Sequence, residues 1–322
     1  MQIRNALSIV VPCYNEQEVL EGTNAALLAV LRGLIDAGKI AHASCICYVD
    51  DGSSDATWSI IEALSCASDH VSGIKLAHNV GHQHALLAGL SSVPGDILVS
   101  IDADLQDDVA AIEKMVDAWA QGCEIVYGVR EDRSSDTAFK RGTAKLYYKL
   151  LARLGGEIVQ NHADFRLMSR RAIEALKDYK EANLFLRGMV PLIGLRSGIV
   201  RYTRAPRLAG ESKYPLRRML SLAWEGTTSF SVVPLRMVSL LGVLVFFATV
   251  LMSLAIVGIR LFTDRAIPGW ASTVLPIYLS TGVQILCIGV LGEYLGKIYK
   301  EVKARPRFLL ERTCGSKLEP SA

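Results

Sequence analysis

The sequence predicts an α/β protein with a mostly parallel sheet, followed by interfacial helices and a two-helix transmembrane hairpin. The first 130 residues alternate short apolar runs with helix-like stretches, which is typical of a parallel sheet covered on both faces. Further along, Val238–Ile259 and Val274–Gly292 carry no charged residue. Each of these two segments is long enough to cross a hydrocarbon core of about 30 Å.

The predicted elements follow in chain order. Apolar runs indicate strands, and the segments between them have helical periodicity. The last residues, after Arg312, are expected to be loose. The expected strands are Ser8–Val11, Cys45–Asp50, Gly73–Ala77, Ile97–Asp102, Glu124–Val129 and Asp164–Met168, and the expected helices are Glu16–Asp36, Asp55–Ala67, Gly81–Ser92, Val109–Gln121, Thr137–Gly155 and Ser169–Leu176.

Composition narrows the function classes. A length of 322 residues suits about two domains. The net charge of +3 argues against a nucleic-acid binder. Seven scattered cysteines without a C-x-x-C pair favour reduced, cytosol-facing thiols. The N-terminus runs directly into an apolar strand, so we expect no cleavable signal peptide.

The charges around the two apolar segments predict their orientation. Because cytoplasmic loops are enriched in Lys and Arg, both ends of the hairpin are expected in the cytoplasm. The connector between the segments carries Arg260, Asp264 and Arg265, whereas basic residues flank the pair at 201, 204, 207, 213, 217, 218 and 236 and at 297, 300, 303, 305 and 307.

Four regions follow from this pattern. We expect a cytoplasmic α/β domain at 1–200, a juxtamembrane segment at 201–233, the hairpin at 234–300 and a cytoplasmic tail at 301–322. Pro215–Phe230 combines basic residues with an apolar helical face. It is interpreted as a helix lying in the membrane interface, with an ordinary core-packed helix as the alternative.

Acidic residues at the fourth strand end suggest a metal site. Asp102 and Asp104 are two positions apart, so in an extended chain their carboxylates point the same way. Gln106 adds a carbonyl oxygen. Mg²⁺ prefers such oxygen ligands and is often held by one or two carboxylates plus substrate phosphates. The alternative is a polar turn that binds nothing.

Two other strand ends carry groups suited to a nucleotide. Asp50 and Asp51 could accept hydrogen bonds from a base or ribose, Tyr14 could pack against a base, and Glu16 could accept from a ribose hydroxyl. Ligands bind beyond the carboxyl ends of strands in such sheets, so we expect these groups to share one crevice.

Three histidines, His78, His82 and His84, precede or begin the third helix. His78 and His82 have the i, i+4 spacing of some metal ligands, but no third ligand follows at a suitable spacing. A helix-start surface or a contact with the donor is the favoured interpretation.

Taken together, these motifs resemble family 2 glycosyltransferases of the GT-A fold, and within them the polyprenyl-phosphate glycosyltransferases. The chain is similar to the bactoprenol glucosyltransferases and to dolichyl-phosphate mannose synthase over nearly its whole length. The resemblance rests on Pro12–Glu16, Asp50–Ser53, Asn79–Gly81 with Ala85 and Gly89, Asp102–Asp107, Gly128–Arg130, Asp164–Ser169, Gly210–Tyr214 and Gly289–Tyr294.

The resemblance implies a role for each matching residue. The cation would be Mg²⁺ or Mn²⁺ on the donor diphosphate. The arginines could instead be solvated charges or lipid headgroup contacts. The implied nucleotide-binding residues are Pro12, Tyr14, Asn15, Glu16, Asp50, Asp51 and Ser53; the metal ligands are Asp102, Asp104 and Gln106; and the acceptor-phosphate residues are Arg130, Arg141, Arg207, Ser212 and Lys213.

Asp104 and Asp164 are the expected catalytic residues. Asp164 is interpreted as a base or an orienting carboxylate, with an ion pair to Arg166 or Arg130 as the alternative. The resemblance implies inverting transfer of one sugar from a nucleotide donor, UDP-glucose first, to undecaprenyl phosphate. This would occur at the cytoplasmic face of a bacterial inner membrane and supply lipid-linked sugar for cell-surface glycans.

Several alternatives remain open at this point. GDP-mannose or a UDP-amino sugar could be the donor, a processive polysaccharide synthase could share the fold, and a non-catalytic membrane scaffold is the alternative of a different class. The expected partners are a nucleotide sugar, the lipid acceptor, a flippase and a downstream glycosyltransferase, and not nucleic acid. The sequence leaves a homo-oligomer open.

Overall fold

The computed structural model describes residues 5–130, 162–181, 184–203 and 269–318, together with separate positions between 235 and 254. The chain divides into two compact units. The first contains Met1–Ala152, Glu157–Tyr214 and Arg305–Ala322, and the second contains Arg153–Gly156 and Pro215–Ala304. The chain therefore leaves the first unit and returns to it.

The first unit contains a mixed sheet of eight described strands in the order β7-β5-β6-β4-β1-β2-β3-β8. The neighbours β4, β1, β2 and β3 are parallel, as are β5 and β7, whereas β6 and β8 pair antiparallel to their neighbours. The strands are β1 (Leu7–Cys13), β2 (Cys45–Asp50), β3 (Val71–Leu76), β4 (Ile97–Ser100), β5 (Ile125–Arg130), β6 (His162–Ser169), β7 (Ser197–Tyr202) and β8 (Leu310–Cys314).

The described part of the chain contains seven helices with defined bounds, six in the first unit and one, α7, in the second. On α1, Leu20, Leu27 and Leu31 are buried at helical spacing, so one face joins the core. On α3, a Cβ at Gly89 would lie 2.4 Å from Val10 Cγ1, so glycine permits close packing on the sheet. The helices are α1 (Leu20–Asp36), α2 (Thr57–Ala67), α3 (His82–Ser92), α4 (Ala111–Ala120), α5 (Arg170–Lys177), α6 (Leu186–Leu192) and α7 (Gly269–Val302).

The alternation predicted for the first 130 residues is confirmed, with element ends shifted by a few residues. The strand and helix expected near Asp164 and Ser169 are confirmed as β6 and α5. The prediction missed α6 and β7. The expected helix Thr137–Gly155 and the interfacial helix Pro215–Phe230 lie outside the described residues.

The expectation of a loose tail is wrong up to Cys314. Residues Leu310–Cys314 form β8, which pairs antiparallel with β3. Lys75 Nζ lies 3.6 Å from a Glu311 carboxylate oxygen across this pair. The sequence Leu-Glu-Arg-Thr-Cys has little apolar periodicity, and β8 lies at the edge of the sheet beside β3. Its pairing uses backbone hydrogen bonds, which any residue type can make.

In the second unit, α7 contains the second predicted span, Val274–Gly292. Across the described residues, no helix combines the length and apolar character needed to cross a membrane. Only separate positions of the first predicted span are described. The hairpin is therefore unconfirmed.

Candidate active site

The loops that follow β1 and β2 are joined by hydrogen bonds. The backbone N–H of Asn15 donates to Ser53 Oγ at 2.9 Å, and the N–H of Ser54 donates to Asn15 Oδ1 at 2.9 Å. The N–H of Asp51 donates to the Cys13 carbonyl at 2.9 Å. The predicted meeting of these two strand ends is confirmed.

Among the residues of the first loop, Tyr14 is 49% exposed and its ring is accessible for stacking. Pro12 is buried within β1. The N–H of Glu16 donates to Thr57 Oγ1 at 2.9 Å, which fixes this loop against the start of α2.

The two carboxylates after β2 are buried. Asp50 Oδ1 accepts from the Ser53 N–H at 3.1 Å, and burial raises the pKa of Asp50. Asp51 accepts from the N–H groups of Val80 at 2.8 Å and Gly81 at 3.0 Å. Burial raises the pKa of Asp51, and these amides oppose the rise. Asp51 therefore holds the loop before α3 against β2.

The predicted metal ligands lie in the loop after β4. Asp102 and Asp104 are partly exposed, and the Gln106 N–H donates to Asp104 Oδ1 at 3.2 Å. The Gln106 side chain is buried, and its Oε1 has no hydrogen-bond partner among the described residues. Burial and neighbouring carboxylates raise the pKa of Asp102 to about 6, while His82 opposes the rise. A nearby positive charge would stabilise the ionised form.

His82 lies between two carboxylates. Its Nε2 is 3.6 Å from Asp102 Oδ1 and 3.5 Å from Asp164 Oδ2. Burial lowers the pKa of His82, but these two carboxylates outweigh burial, so the pKa is raised. Over the described ranges, no three His, Cys, Asp or Glu side chains could hold a metal by themselves.

Asp164 is the centre of a buried ion-pair network. Its Oδ1 accepts from Arg166 Nη2 at 2.6 Å, and its Oδ2 accepts from Arg187 Nη2 at 3.0 Å and from Gln83 Nε2 at 3.2 Å. Burial would raise the pKa of Asp164, but His82, Arg166 and Arg187 outweigh it and hold the pKa well below its usual range. The ion pair of Asp164 with Arg166, which the sequence offered as the alternative, is therefore present in the structure. The expected role of Asp164 as a base or an orienting carboxylate stays a prediction.

Arg130 ends β5 and contacts a different carboxylate. Its Nη2 donates to Asp107 Oδ1 at 3.3 Å, and its Nε donates to the Tyr202 hydroxyl at 3.2 Å. It is thus held close to the loop of the predicted metal ligands. The other predicted acceptor-phosphate residues, Arg141, Arg207, Ser212 and Lys213, lie outside the described residues.

Comparison with known proteins agrees with this arrangement. Residues 8–177 match the family model described as Glycosyl transferase family 2. The chain belongs to glycosyl transferase family 2. It is therefore a glycosyltransferase, and the predicted family resemblance is confirmed.

Relatives within family 2 match along nearly the full chain. An uncharacterized glycosyltransferase, YkoT, of Bacillus subtilis (strain 168) is 48% identical over 96% of this chain and 92% of the relative. A prophage bactoprenol glucosyl transferase homolog of Escherichia coli (strain K12) is 36% identical over 95% of this chain and 98% of the relative. The bactoprenol glucosyl transferase of Shigella phage SfII is 37% identical over the same shares.

A solved structure also overlaps in part. Glucosyl-3-phosphoglycerate synthase from Mycobacterium tuberculosis, in complex with Mn²⁺, uridine diphosphate and phosphoglyceric acid, covers 68% of this chain and 75% of its own. Its sequence identity is 21% and its TM-score is 0.46.

Sequence reasoning on this family 2 enzyme assigned no role to Arg187, Asp107 or Tyr202. Asp107 belongs to the Asp102–Asp107 motif. Because its carboxylate is buried, a cationic partner is required to offset the cost of removing the charge from water. Arg187 and Tyr202 come from α6 and β7, which the sequence did not predict, so only the tertiary structure could place them.

Proposed function

We propose that this glycosyltransferase transfers one glucose from UDP-glucose to a polyprenyl phosphate, with inversion at the anomeric carbon. The observation that carries the proposal is the similarity, over 95% of the chain, to relatives named bactoprenol glucosyl transferases. The site supports it, because Arg130 contacts Asp107 on the loop that also bears Asp102 and Asp104. A group for binding phosphate is thereby held near two carboxylates suited to a cation.

The residues after β4 fit Mg²⁺ or Mn²⁺. Asp102 and Asp104 supply two carboxylates, and the buried Gln106 Oε1 lacks a partner among the described residues. A donor set of this size suits Mg²⁺ held jointly with substrate phosphates. We assign these three residues to the cation, which would neutralise charge on the leaving diphosphate when bound.

The nucleoside is assigned to the loops after β1 and β2. The exposed ring of Tyr14 is available to stack on a base, and we assign the Glu16 carboxylate to a ribose hydroxyl. Asn15 and Ser53 shape this surface through their mutual hydrogen bond. Pro12, Asp50 and Asp51 are buried beneath it, so we assign them a supporting role.

The acceptor needs orientation more than a base. A phosphate monoester has a second pKa near 6, so it is largely ionised at neutral pH and is itself a nucleophile. The planar guanidinium of Arg130 can donate two parallel hydrogen bonds to such a group. Holding the attacking oxygen in line with the anomeric carbon lowers the entropic barrier. In this proposal Asp164 organises the site and does not remove a proton.

A polyprenyl acceptor requires access to a membrane. We therefore propose that 238–259 and 274–292 cross the bacterial inner membrane as a hairpin and that both termini and the catalytic unit are cytoplasmic. Large exposed apolar side chains on α7 support this arrangement, because such patches mark contact surfaces. They include Ile277, Ile285, Ile288, Leu291, Leu295 and Ile298.

A transfer assay tests the activity. Purified protein in detergent is incubated with undecaprenyl phosphate, Mg²⁺ and one radiolabelled nucleotide sugar at a time. We expect label from UDP-glucose in a lipid carrying a single sugar. Transfer of label only from GDP-mannose or from a UDP-amino sugar would contradict the assignment of UDP-glucose as the donor. A labelled polymer would indicate a processive synthase. The absence of transfer from every donor would favour a non-catalytic scaffold.

A cysteine-accessibility experiment tests the topology. A cysteine replacing Pro268 is expected to react with a membrane-impermeant thiol reagent added outside spheroplasts, because 268 lies in the weakly charged connector. A cysteine replacing Ser316 is expected to react only after the membrane is permeabilised. The reverse pattern would contradict the orientation inferred from the basic flanks.

A further inference from the structure

Arg130 belongs to a closed group of three hydrogen-bonded side chains. The Tyr202 hydroxyl donates to Asp107 Oδ1 at 2.5 Å. Arg130 donates from Nη2 to the same Asp107 oxygen at 3.3 Å and from Nε to the Tyr202 oxygen at 3.2 Å. The three residues come from the loop after β4, the end of β5 and the end of β7, so their meeting is a product of the tertiary fold.

The burial of the group is uneven. Asp107 and Tyr202 are each 3% exposed, whereas the Arg130 side chain is 28% exposed. Only Arg130 of the three can present a large part of its polar end to a ligand. Burying a carboxylate is costly unless it is paired and hydrogen-bonded. Asp107 meets this requirement, because its Oδ1 accepts hydrogen bonds from both Arg130 and Tyr202.

Two further contacts hold Tyr202 in place. Its ring packs edge-on against Phe165, with centroids 5.3 Å apart and an interplanar angle of 82°. In the parallel β5–β7 pair, Tyr202 is in register with Arg130. The strand register and the packing of the ring therefore fix the position of the Tyr202 hydroxyl beside Arg130 Nε.

We propose that Asp107 and Tyr202 are positioning residues that hold the Arg130 guanidinium for the acceptor phosphate. A free arginine side chain loses considerable rotamer entropy when it binds a ligand; one already held at Nε and Nη2 loses less. Asp107 stands three positions after Asp104, so the same loop would set both the cation and the acceptor arginine. This inference rests on the proposed function of Arg130.

The test measures lipid-phosphate binding directly. A short-chain prenyl phosphate is titrated by calorimetry into the full-length protein in detergent, and UDP is titrated separately with Mn²⁺. We expect Arg130→Ala to weaken prenyl phosphate binding by at least ten-fold. Tyr202→Phe keeps the ring against Phe165 but removes the hydroxyl, and should weaken the same binding by about three- to ten-fold with UDP affinity unchanged.

A matched control and a double variant separate positioning from a general loss of stability. Tyr48→Phe removes another buried hydroxyl, which donates to Asn24 Oδ1 at 3.1 Å, and should leave prenyl phosphate affinity unchanged. In the Arg130→Ala background, Tyr202→Phe should cause no further loss, because residues that act through one group are not additive. If Tyr202→Phe acted only by destabilising the fold, its loss of prenyl phosphate affinity would add in full to the loss caused by Arg130→Ala.

Each outcome decides a different point. If Arg130→Ala binds prenyl phosphate as the parent does, the assignment of Arg130 in the proposed function fails and this inference fails with it. If Arg130→Ala loses binding but Tyr202→Phe does not, or if the two losses add, the proposed function stands and only the positioning role is overturned. Asp107→Asn repeats the test, because it removes the charge that Arg130 Nη2 contacts.

Discussion

Replacing Asp164 with asparagine should lower the melting temperature of this enzyme more than the loss of an exposed ion pair does. The substitution preserves shape but removes the charge that pairs with Arg166 at 2.6 Å and Arg187 at 3.0 Å. Arg166 is 1% exposed, and its Nε already lacks a partner among the described residues. Leaving a buried charge without its partner typically costs about 3–5 kcal/mol. For a unit of this size that corresponds to a Tm lowered by roughly 6–20 °C.

Thermal unfolding in detergent, followed by circular dichroism at pH 7.5, measures the effect of Asp164→Asn. Glu174→Gln is the matched control, because it removes the charge of an exposed carboxylate that lies 2.8 Å from Lys177 Nζ. Exposed ion pairs contribute at most about 1 kcal/mol, so this variant should melt within a few degrees of the parent.

The pH dependence of stability gives a second readout for Asp164. Its pKa in the folded state lies below the value of about 3.9 expected in the unfolded chain. The unfolded state therefore binds a proton more readily, and the stabilisation is present above pH 4 and lost as the pH falls further. In Asp164→Asn the melting temperature should therefore fall less steeply below pH 4 than it does in the parent. If Asp164→Asn melts like Glu174→Gln at pH 7.5 and loses stability below pH 4 as steeply as the parent, the argument is refuted.

Two other substitutions test the loops of the site. Asp104→Ala should weaken Mn²⁺ binding in the presence of UDP at least ten-fold, measured by calorimetry, with Tm changed by only a few degrees because Asp104 is partly exposed; unchanged Mn²⁺ affinity would remove Asp104 from the metal site. Gly52→Ala should lower stability by about 1–3 kcal/mol and weaken UDP binding, because Gly52 has φ +68° and an added Cβ would lie 2.7 Å from the Asn79 backbone nitrogen. A Gly52→Ala protein with the parent's Tm and UDP affinity would show that this close approach is dispensable.

The sequence predicted those strands that are continuous apolar runs. Strands β1 and β2 are buried along their whole length, and such runs can be recognised from the sequence alone. Strand β7 alternates exposed and buried positions over a short, partly polar segment, and β8 lies at the edge. Their pairing depends on neighbours distant in the chain, so local sequence could not reveal it.

The site divides along the same line. The sequence by itself determined the family and the strand ends that carry Asp102, Asp104 and Arg130, because residue type and short spacing express those motifs. Tertiary structure alone decided which charges meet: Asp164 with Arg187, and Arg130 with Asp107 rather than with Asp164. The physical reason is that an ion pair acts over a few ångströms, and only the folded sheet brings residues that are 23 positions apart in the chain to that distance.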